Sequence, residues 1–371
     1  MMEYNVSKYP HFDNPWDMLI DCDNVKRGSP KSTPALCNIA TLNGILCAYI
    51  LPFIVLFNVI CNVINAVIFL HGYQQKTRQV IYLGVLSLID LCACLLETTL
   101  RLFPAKGIPY ASNGTIFFSI NNTSSIGCKL YRSALGLLNT FRGNMLITTM
   151  LDRLLAIQYP LQFSRFTSRN AWYFVLSTFI TAVLLMIPII VQSDWTVSSN
   201  KTSCYKVPSN RFLYLYYGLF SGACFAQTAI NGLLNGVLLL KIYFWLQHRR
   251  QIATSTQSTK SSELSACILL LIISGTTFLL SIPAISIAYF AISNPFSKDP
   301  NNAFIKLRVM LDLRDVFLIL TYMQSIFNTV IYIWRMEHFR LLFLCIVQCK
   351  NIRKFRRTLK KSSNASHRQI A

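Results

Sequence analysis

CKLYRSALGLLNTFRGNMLITTMLDRLLAIQYPL, residues 128–161, is the most informative stretch of this chain. A long apolar segment runs from Cys128 to the pair Asp152-Arg153, and Pro160-Leu161 follow it. A run of roughly 20 mostly apolar residues is long enough to cross the hydrocarbon core of a bilayer as a helix. Charges inside such a run are costly unless they are paired, so the charged residues of this segment are candidates for function.

Similar apolar runs recur along the rest of the chain. Of its 371 residues, 53% are hydrophobic and only 13% are charged, which is unusual for a soluble protein of this size. Candidate spans lie at about 43–70, 79–103, 125–152, 170–192, 212–246, 264–292 and 314–334. We therefore predict an all-α membrane protein, a seven-transmembrane helix bundle (43–348) between an N-terminal tail (1–42) and a C-terminal tail (349–371).

The formal net charge of +21 raises the question of a nucleic-acid partner. Ten of the 35 Lys and Arg residues, however, fall between Arg335 and Arg368, directly after the last apolar run. A basic segment beside a membrane span is typical of a cytoplasmic tail facing anionic lipid. We expect membrane lipid, and no nucleic acid, as the partner of these charges.

The basic C-terminal tail favours a topology with the N-terminus outside the cell, in the plasma membrane. Glycosylation sequons agree with this topology, because only the sequon at Asn364 falls in a segment placed inside. The sequons in segments placed outside start at Asn5, Asn113, Asn121, Asn122 and Asn200.

The chain has 12 cysteines, most of them within the predicted spans, where a free cysteine is usually a small apolar side chain. Four are predicted to lie outside, where oxidising conditions permit disulfides. Cys128 and Cys204 can form one bridge, and Cys22 and Cys37 can close the N-terminal tail.

The motifs of the third span resemble those of rhodopsin-like G-protein-coupled receptors. Members of that family end their third helix in an acid-Arg-Tyr motif, and here the sequence is Asp152-Arg153-Leu154. They also have a Pro-Leu in the loop that follows and a disulfide cysteine 25 residues before the Arg; here 153 minus 128 is 25. The resemblance implies a receptor whose partners are an extracellular ligand and a heterotrimeric G protein.

The seventh span resembles the family in its last turns. Residues 328–332, Asn-Thr-Val-Ile-Tyr, are similar to the family's Asn-Pro-x-x-Tyr, with Thr329 in place of the proline. The resemblance implies that a short amphipathic eighth helix follows, lying on the membrane surface. Cys345 and Cys349 are then candidates for acylation, with unmodified cysteines as the alternative.

Spans one, two and six contain partial motifs of the same family. Asn62 in span one resembles the Asn that the family carries in its first helix, and Asp90 in span two resembles the Asp of its second helix. Span six has Pro283, but Ser281 stands where the family usually has a switch tryptophan.

Arg142 is the most unusual charge of the third span. It lies 11 residues before Arg153, about three helical turns, so both side chains project from nearly the same face. In the family, the level of Arg142 holds a sodium ion bound by the Asp that Asp90 resembles. We hypothesise that the Arg142 guanidinium replaces this ion and pairs with Asp90 and Asn328, with another partner for Arg142 as the alternative.

The resemblance also implies an inner latch that involves Glu263. This residue lies 20 positions before Pro283, where inactive family members carry an acid that holds the motif arginine. We expect Arg153 and Glu263 to pair, and Asp152, Arg153, Glu263 and Tyr332 to form the region that couples to the G protein. The alternative is that Glu263 is simply solvated.

The outer ends of spans two, three and seven are rich in charge. A charged extracellular opening of the bundle favours a polar ligand, a peptide or a chemosensory cue. The alternative is that the charges pair with one another. Leu135 stands where amine receptors have an Asp, and Tyr322 stands where opsins have a retinal-binding Lys. Neither a biogenic amine nor retinal is therefore expected. The candidate pocket residues are Glu97, Arg101, Tyr131, Arg132, Leu135, Ser281, Asp315 and Tyr322.

The sequence shows no metal-ligand cluster, phosphate-binding glycine loop or nucleophile-base arrangement, so we predict no enzyme, metal or cofactor. Two alternatives to a coupled receptor stay open. A transporter would use buried charges along its path, but no internal repeat accompanies the seven spans. A seven-helix ligand binder that does not couple is the other alternative, because the switch tryptophan, two prolines and the motif tyrosine are replaced.

Overall fold

The part of the chain that the computed structural model describes is almost entirely helical. It comprises residues 17–30, 32–73, 77–118, 120, 124–163, 166–192, 196–198, 201–203, 216, 219–220, 224–251, 258–293 and 300–348. Its helices are α1 (Asp17–Lys26), α2 (Pro34–Gly72), α3 (Arg78–Ala111), α4 (Ser125–Gln158), α5 (Pro160–Phe163), α6 (Ser168–Gln192), α7 (Phe225–Gln251), α8 (Ser258–Ser293), α9 (Pro300–Tyr322), α10 (Gln324–Arg335) and α11 (Glu337–Val347). A short antiparallel hairpin pairs β1 (Thr196–Ser198) with β2 (Lys201–Ser203).

Seven long helices form the membrane-spanning bundle: α2, α3, α4, α6, α7, α8 and the pair α9–α10, which is interrupted at Met323. Among the described residues, six of them are long and apolar enough to cross a membrane by length and composition. The seventh, α4, is 34 residues long but carries Arg132, Arg142 and Arg153, which lower its hydropathy. The predicted all-α, seven-transmembrane architecture is confirmed.

The helix α4 lies at the centre of the bundle and contacts α3, α6, α7 and α8. The helix α9 packs on both α8 and α2, and α2 packs on α3, so the first and last spans are neighbours. The helix α1 covers one end of the bundle, which we call the capped end. The opposite end carries Asp152 and Arg153, and we call it the motif end.

Two helices extend beyond the spans predicted from hydropathy. The helix α2 begins at Pro34 rather than near residue 43, since the Thr33 hydroxyl accepts a hydrogen bond from the Leu36 N–H (3.3 Å) and proline suits the first helical position. The helix α9 begins at Pro300 rather than near 314. Both extensions lie at the capped end and pack on each other and on neighbouring helices rather than on lipid.

The eighth helix, α11, docks on the motif end through its buried face of Phe339, Leu342 and Cys345. An aromatic cluster holds it there: the Tyr332 ring lies 5.0 Å from that of Phe69 and 5.3 Å from that of Phe339. Tyr332 is therefore part of the packing between the seventh span, the first span and α11.

Candidate functional site

Asp152 and Arg153 lie at the motif end, where Asp152 is only 4% exposed. The Nη2 atom of Arg153 donates to Oδ2 of Asp152 at 2.8 Å. The other carboxylate oxygen, Oδ1, lies 3.3 Å from Nε of Arg78. One buried carboxylate thus holds two guanidinium groups, one from its own helix and one from the first turn of α3.

Arg78 was missed by the sequence analysis. It also reaches the loop that follows α4: its guanidinium lies 4.4 Å from the centre of the Phe163 ring, and its Nη1 donates to the Phe163 carbonyl oxygen at 3.3 Å. A charge directly before a predicted span was visible in the sequence, but its partner 74 positions away on α4 was not.

The predicted partner of Arg153 on the sixth span is Glu263. Glu263 lies on α8 (Ser258–Ser293), but its side chain is outside the described residues. The Arg153–Glu263 latch therefore stays a prediction. Tyr332 is 3% exposed and packs at the same end of the bundle, in the aromatic cluster with Phe69 and Phe339.

A second polar cluster occupies the middle of the bundle around Arg142. Its Nε lies 2.6 Å from Oδ1 of Asp90, and its Nη2 donates to Oε1 of Gln324 at 2.8 Å. Gln324 in turn donates to the Thr277 hydroxyl. The chain of contacts therefore links α3, α4, α10 and α8.

A small polar cavity adjoins this cluster and includes Asn62, Asp90 and Asn328 in its wall. Asn62 donates to Oδ1 of Asn58 at 2.7 Å, and Asn58 donates to the Tyr322 carbonyl oxygen at 2.7 Å, near the break between α9 and α10. Within the described part of the chain, Oδ1 of Asn328 accepts no hydrogen bond. The cavity thus brings together the four residues predicted for the polar core.

The third cluster lies at the capped end and is a network of ion pairs. Asp315, 1% exposed, is its centre, with Lys106 at 2.7 Å, Arg314 at 2.7 Å and Arg101 at 3.1 Å. Arg101 also lies 2.5 Å from Glu97.

The edges of this network join two further helices. Glu97 accepts a hydrogen bond from the Tyr131 hydroxyl at 3.2 Å. Asp312 accepts from Lys106 at 2.7 Å and from Asn43 at 2.9 Å. The sequence pattern grouped Glu97, Arg101, Tyr131 and Asp315. It did not indicate Lys106, which lies beyond the predicted end of the second span, or Asn43, an uncharged residue at the predicted start of the first span.

The N-terminal helix closes the capped end. Cys22 on α1 and Cys37 on α2 form a disulfide. The neighbouring Asp21 accepts from both terminal nitrogens of Arg308 on α9, at 2.9 Å and 2.6 Å. Burial raises the pKa of Asp21, and the Arg308 guanidinium opposes that rise.

The remaining pocket candidates are half-buried. Arg132 and Leu135 lie on α4, Ser281 lies on α8, and Tyr322 ends α9. Tyr322 packs beside the apolar cluster of Leu51, Leu102 and Ile319.

The predicted modification sites are only partly described. Asn113 is exposed in the turn after α3, with a left-handed φ of 49°. Cys128 is disulfide-bonded, and Cys345 is 2% exposed. Outside the described residues lie Asn5, Asn121, Asn122, Asn200, Cys204 and Cys349.

The chain matches the model of a known protein family. A family model described as "7 transmembrane receptor (rhodopsin family)" matches residues 61–332. The match runs from the residue before Asn62 to Tyr332, and so includes the polar core and the acid-Arg pair. No curated protein matches the chain.

Proposed function

The chain belongs to the rhodopsin family of seven-transmembrane receptors, and we propose that it is a plasma-membrane receptor that binds an extracellular ligand and activates a heterotrimeric G protein. The observation that carries the coupling proposal is the buried Asp152–Arg153 pair at the motif end. A guanidinium held by a buried carboxylate is available to a partner only after the pair separates. The pair therefore supports the proposal that this geometry is the resting state of the receptor.

Activation, in this proposal, is an outward movement of α8 at the motif end. Such a movement separates Glu263 from Arg153 and opens the space in which Arg153 meets a helix of the G protein. Tyr332 lies on the neighbouring span and is released from the Phe69 and Phe339 rings in the same step. The movement ends when the partner helix occupies the opened face.

We favour a peptide as the ligand. The network around Asp315 is paired internally, so a ligand that enters this region has to exchange one ion pair for another. A peptide offers charged side chains and backbone amides for that exchange, whereas an apolar ligand would leave buried charges unpaired. The half-buried Leu135 offers no carboxylate to an amine, in keeping with a ligand other than a biogenic amine.

The proposed orientation places the capped end outside the cell. Support comes from Asn113, an exposed sequon residue at that end, and from the disulfide between Cys22 and Cys37. Treatment of the expressed receptor with an N-glycosidase should increase its mobility on a gel, and an epitope at the N-terminus should bind antibody on intact cells. An epitope detected only after permeabilisation would contradict this orientation.

The coupling proposal is tested by basal second-messenger output across several G-protein pathways at matched surface expression. Arg153→Ala should lower the output, because it removes the side chain that meets the G protein. Glu263→Ala should raise the output, because it removes the acid that holds Arg153 in the resting state. Lys306→Gln is the control, since Lys306 is an exposed cation at the capped end. Output that is the same for the wild type and both latch variants would favour the transporter or the uncoupled binder instead.

A further inference from the structure

We propose that Arg78 is a positioning residue for coupling: it remains as the counter-charge of Asp152 when Arg153 leaves, and so makes the release of Arg153 possible. This inference rests on the proposed function, because it assigns a role in the step that frees Arg153. Three observations carry it: the shared carboxylate, the burial of all three side chains, and the contacts that fix Arg78 to the following loop.

The carboxylate of Asp152 divides its two oxygens between two cations. Oδ2 accepts a hydrogen bond from Arg153, whereas Oδ1 has Nε of Arg78 at 3.3 Å but, among the described residues, no aligned hydrogen bond. Arg78 therefore compensates Asp152 by charge, while Arg153 is held by a directed bond. When Arg153 leaves, its hydrogen bond to Oδ2 is broken. Arg78 needs only a small shift to form an aligned hydrogen bond with Oδ1.

Burial makes this compensation necessary. The side chains of Arg78 and Arg153 are each 11% exposed, and that of Asp152 is 3% exposed. A buried carboxylate that loses its sole cation is strongly destabilised. With Arg78 in place, the departure of Arg153 leaves an ion pair rather than an isolated charge.

Arg78 is itself fixed from the opposite side. Its guanidinium lies on the Phe163 ring at 4.4 Å and within 5.7 Å of the Phe166 ring, and it donates to the Phe163 carbonyl oxygen. A planar guanidinium can pair with a carboxylate and stack on a ring at once. The same side chain thus ties the loop after α4 to α3, beside the surface at which a G protein is proposed to bind.

The test compares Arg78→Gln in two backgrounds, the wild type and Asp152→Asn, by basal second-messenger output at matched surface expression. In the wild type, Arg78→Gln should lower the output by about tenfold, because the active state then contains an unpaired buried carboxylate. In the Asp152→Asn background there is no carboxylate to compensate, so the same substitution should have little effect. Arg78→Lys, which keeps the charge, should retain most of the output.

The matched control is Arg169→Gln, which removes an exposed arginine near the start of α6 at the same end of the bundle. Its output should equal that of the wild type. An equal fall for Arg78→Gln in both backgrounds would show that Arg78 acts through the loop or through folding, and would overturn the proposal. An unchanged or raised output for Arg78→Gln in the wild type would overturn it as well.

If neither the wild type nor Arg153→Ala gave basal second-messenger output, the proposed function would be contradicted, but the role of Arg78 as counter-charge of Asp152 would not. Thermal unfolding in detergent of four receptors then decides: the wild type, Arg78→Gln, Asp152→Asn and the double variant. Non-additive shifts of the unfolding temperature for Arg78→Gln and Asp152→Asn would show that the two groups compensate each other. Additive shifts would overturn the role given to Arg78.

Discussion

Thr329 stands where the family motif has a proline, and its hydroxyl links two helices. It donates to the Ser325 carbonyl oxygen at 2.9 Å and accepts from Nδ2 of Asn65 on α2 at 2.9 Å. Proline at this position offers neither bond. The replacement at the end of the seventh span therefore adds a contact to the first span.

Thr329→Val should lower the stability of the receptor. Asn65 is 1% exposed, and its Oδ1 already accepts no hydrogen bond from the described residues, so loss of the Thr329 oxygen leaves its amide unpaired as well. Leaving a buried donor unpaired costs about 1–3 kcal/mol. The unfolding temperature in detergent measures the effect, and Thr329→Ser, which keeps the hydroxyl, should stay close to the wild type. Equal stability of the valine and serine variants would contradict the cross-helix bond.

Arg142 should make the receptor insensitive to sodium. Its guanidinium lies 2.6 Å from Asp90, at the level where the resemblance places an ion. Exchange of sodium for choline at constant chloride should therefore leave the unfolding temperature unchanged. Arg142→Ala removes one partner of a buried pair, which costs about 3–5 kcal/mol, and sodium should then restore part of the stability. A wild-type receptor stabilised by sodium would show that the cavity still takes the ion.

At the scale of the helices, Gly107 permits a close approach of α3 to α2. A Cβ at this position would lie 2.5 Å from the carbonyl oxygen of Cys47, a backbone atom that cannot rotate away. Small residues at such points let membrane helices pack backbone to backbone.

Gly107→Ala should therefore destabilise the bundle, although alanine favours a helix by about 1 kcal/mol over glycine. The matched control is Gly236→Ala on α7, where an added Cβ meets no described atom within 4 Å. Its helix propensity rises without a clash, so its unfolding temperature should be unchanged or higher. A Gly107→Ala receptor as stable as this control would mean that α2 and α3 separate at little cost.

The sequence predicted which segments are helices better than where those helices end. Hydropathy ends a span at the first cluster of charges, so it stopped the second span near 103, whereas α3 continues to Ala111 through the buried Lys106. The burial of Lys106 depends on Asp312 and Asp315, which no local pattern connects to it. Helix ends that depend on residues distant in the sequence cannot be predicted from local hydropathy.

For the whole molecule, the apolar runs predicted the architecture and the motif spacing grouped the charged residues, because hydropathy, helical geometry and the register of the acid-Arg pair are local properties. The partners of those charges are long-range: Asp21 and Arg308 are 287 positions apart, and Lys106 and Asp312 are 206 apart. The alternative that the charges of the capped end pair with one another matches the geometry of Glu97, Arg101 and Asp315. The sequence alone did not decide whether these charges bind a ligand or pair with one another.

The N-terminal helix joins the first span to the seventh, since α1 is bound to α2 by Cys22–Cys37 and to α9 by Asp21–Arg308. The disulfide closes a loop with a sequence separation of 15, and loops of this size contribute about 3 kcal/mol of stability. The paired substitution Cys22→Ser with Cys37→Ser should therefore lower the unfolding temperature, whereas Cys92→Ser, at an exposed free cysteine, should not.

Asp21→Asn should lower the unfolding temperature too, because it weakens a buried bidentate ion pair with Arg308. The disulfide and the ion pair hold the same helix, so once α1 has detached, the second change has little left to remove. The triple variant should consequently lose less than the sum of the two separate losses. Fully additive losses would show instead that Asp21 and the disulfide stabilise the capped end independently, and that α1 does not dock as one unit.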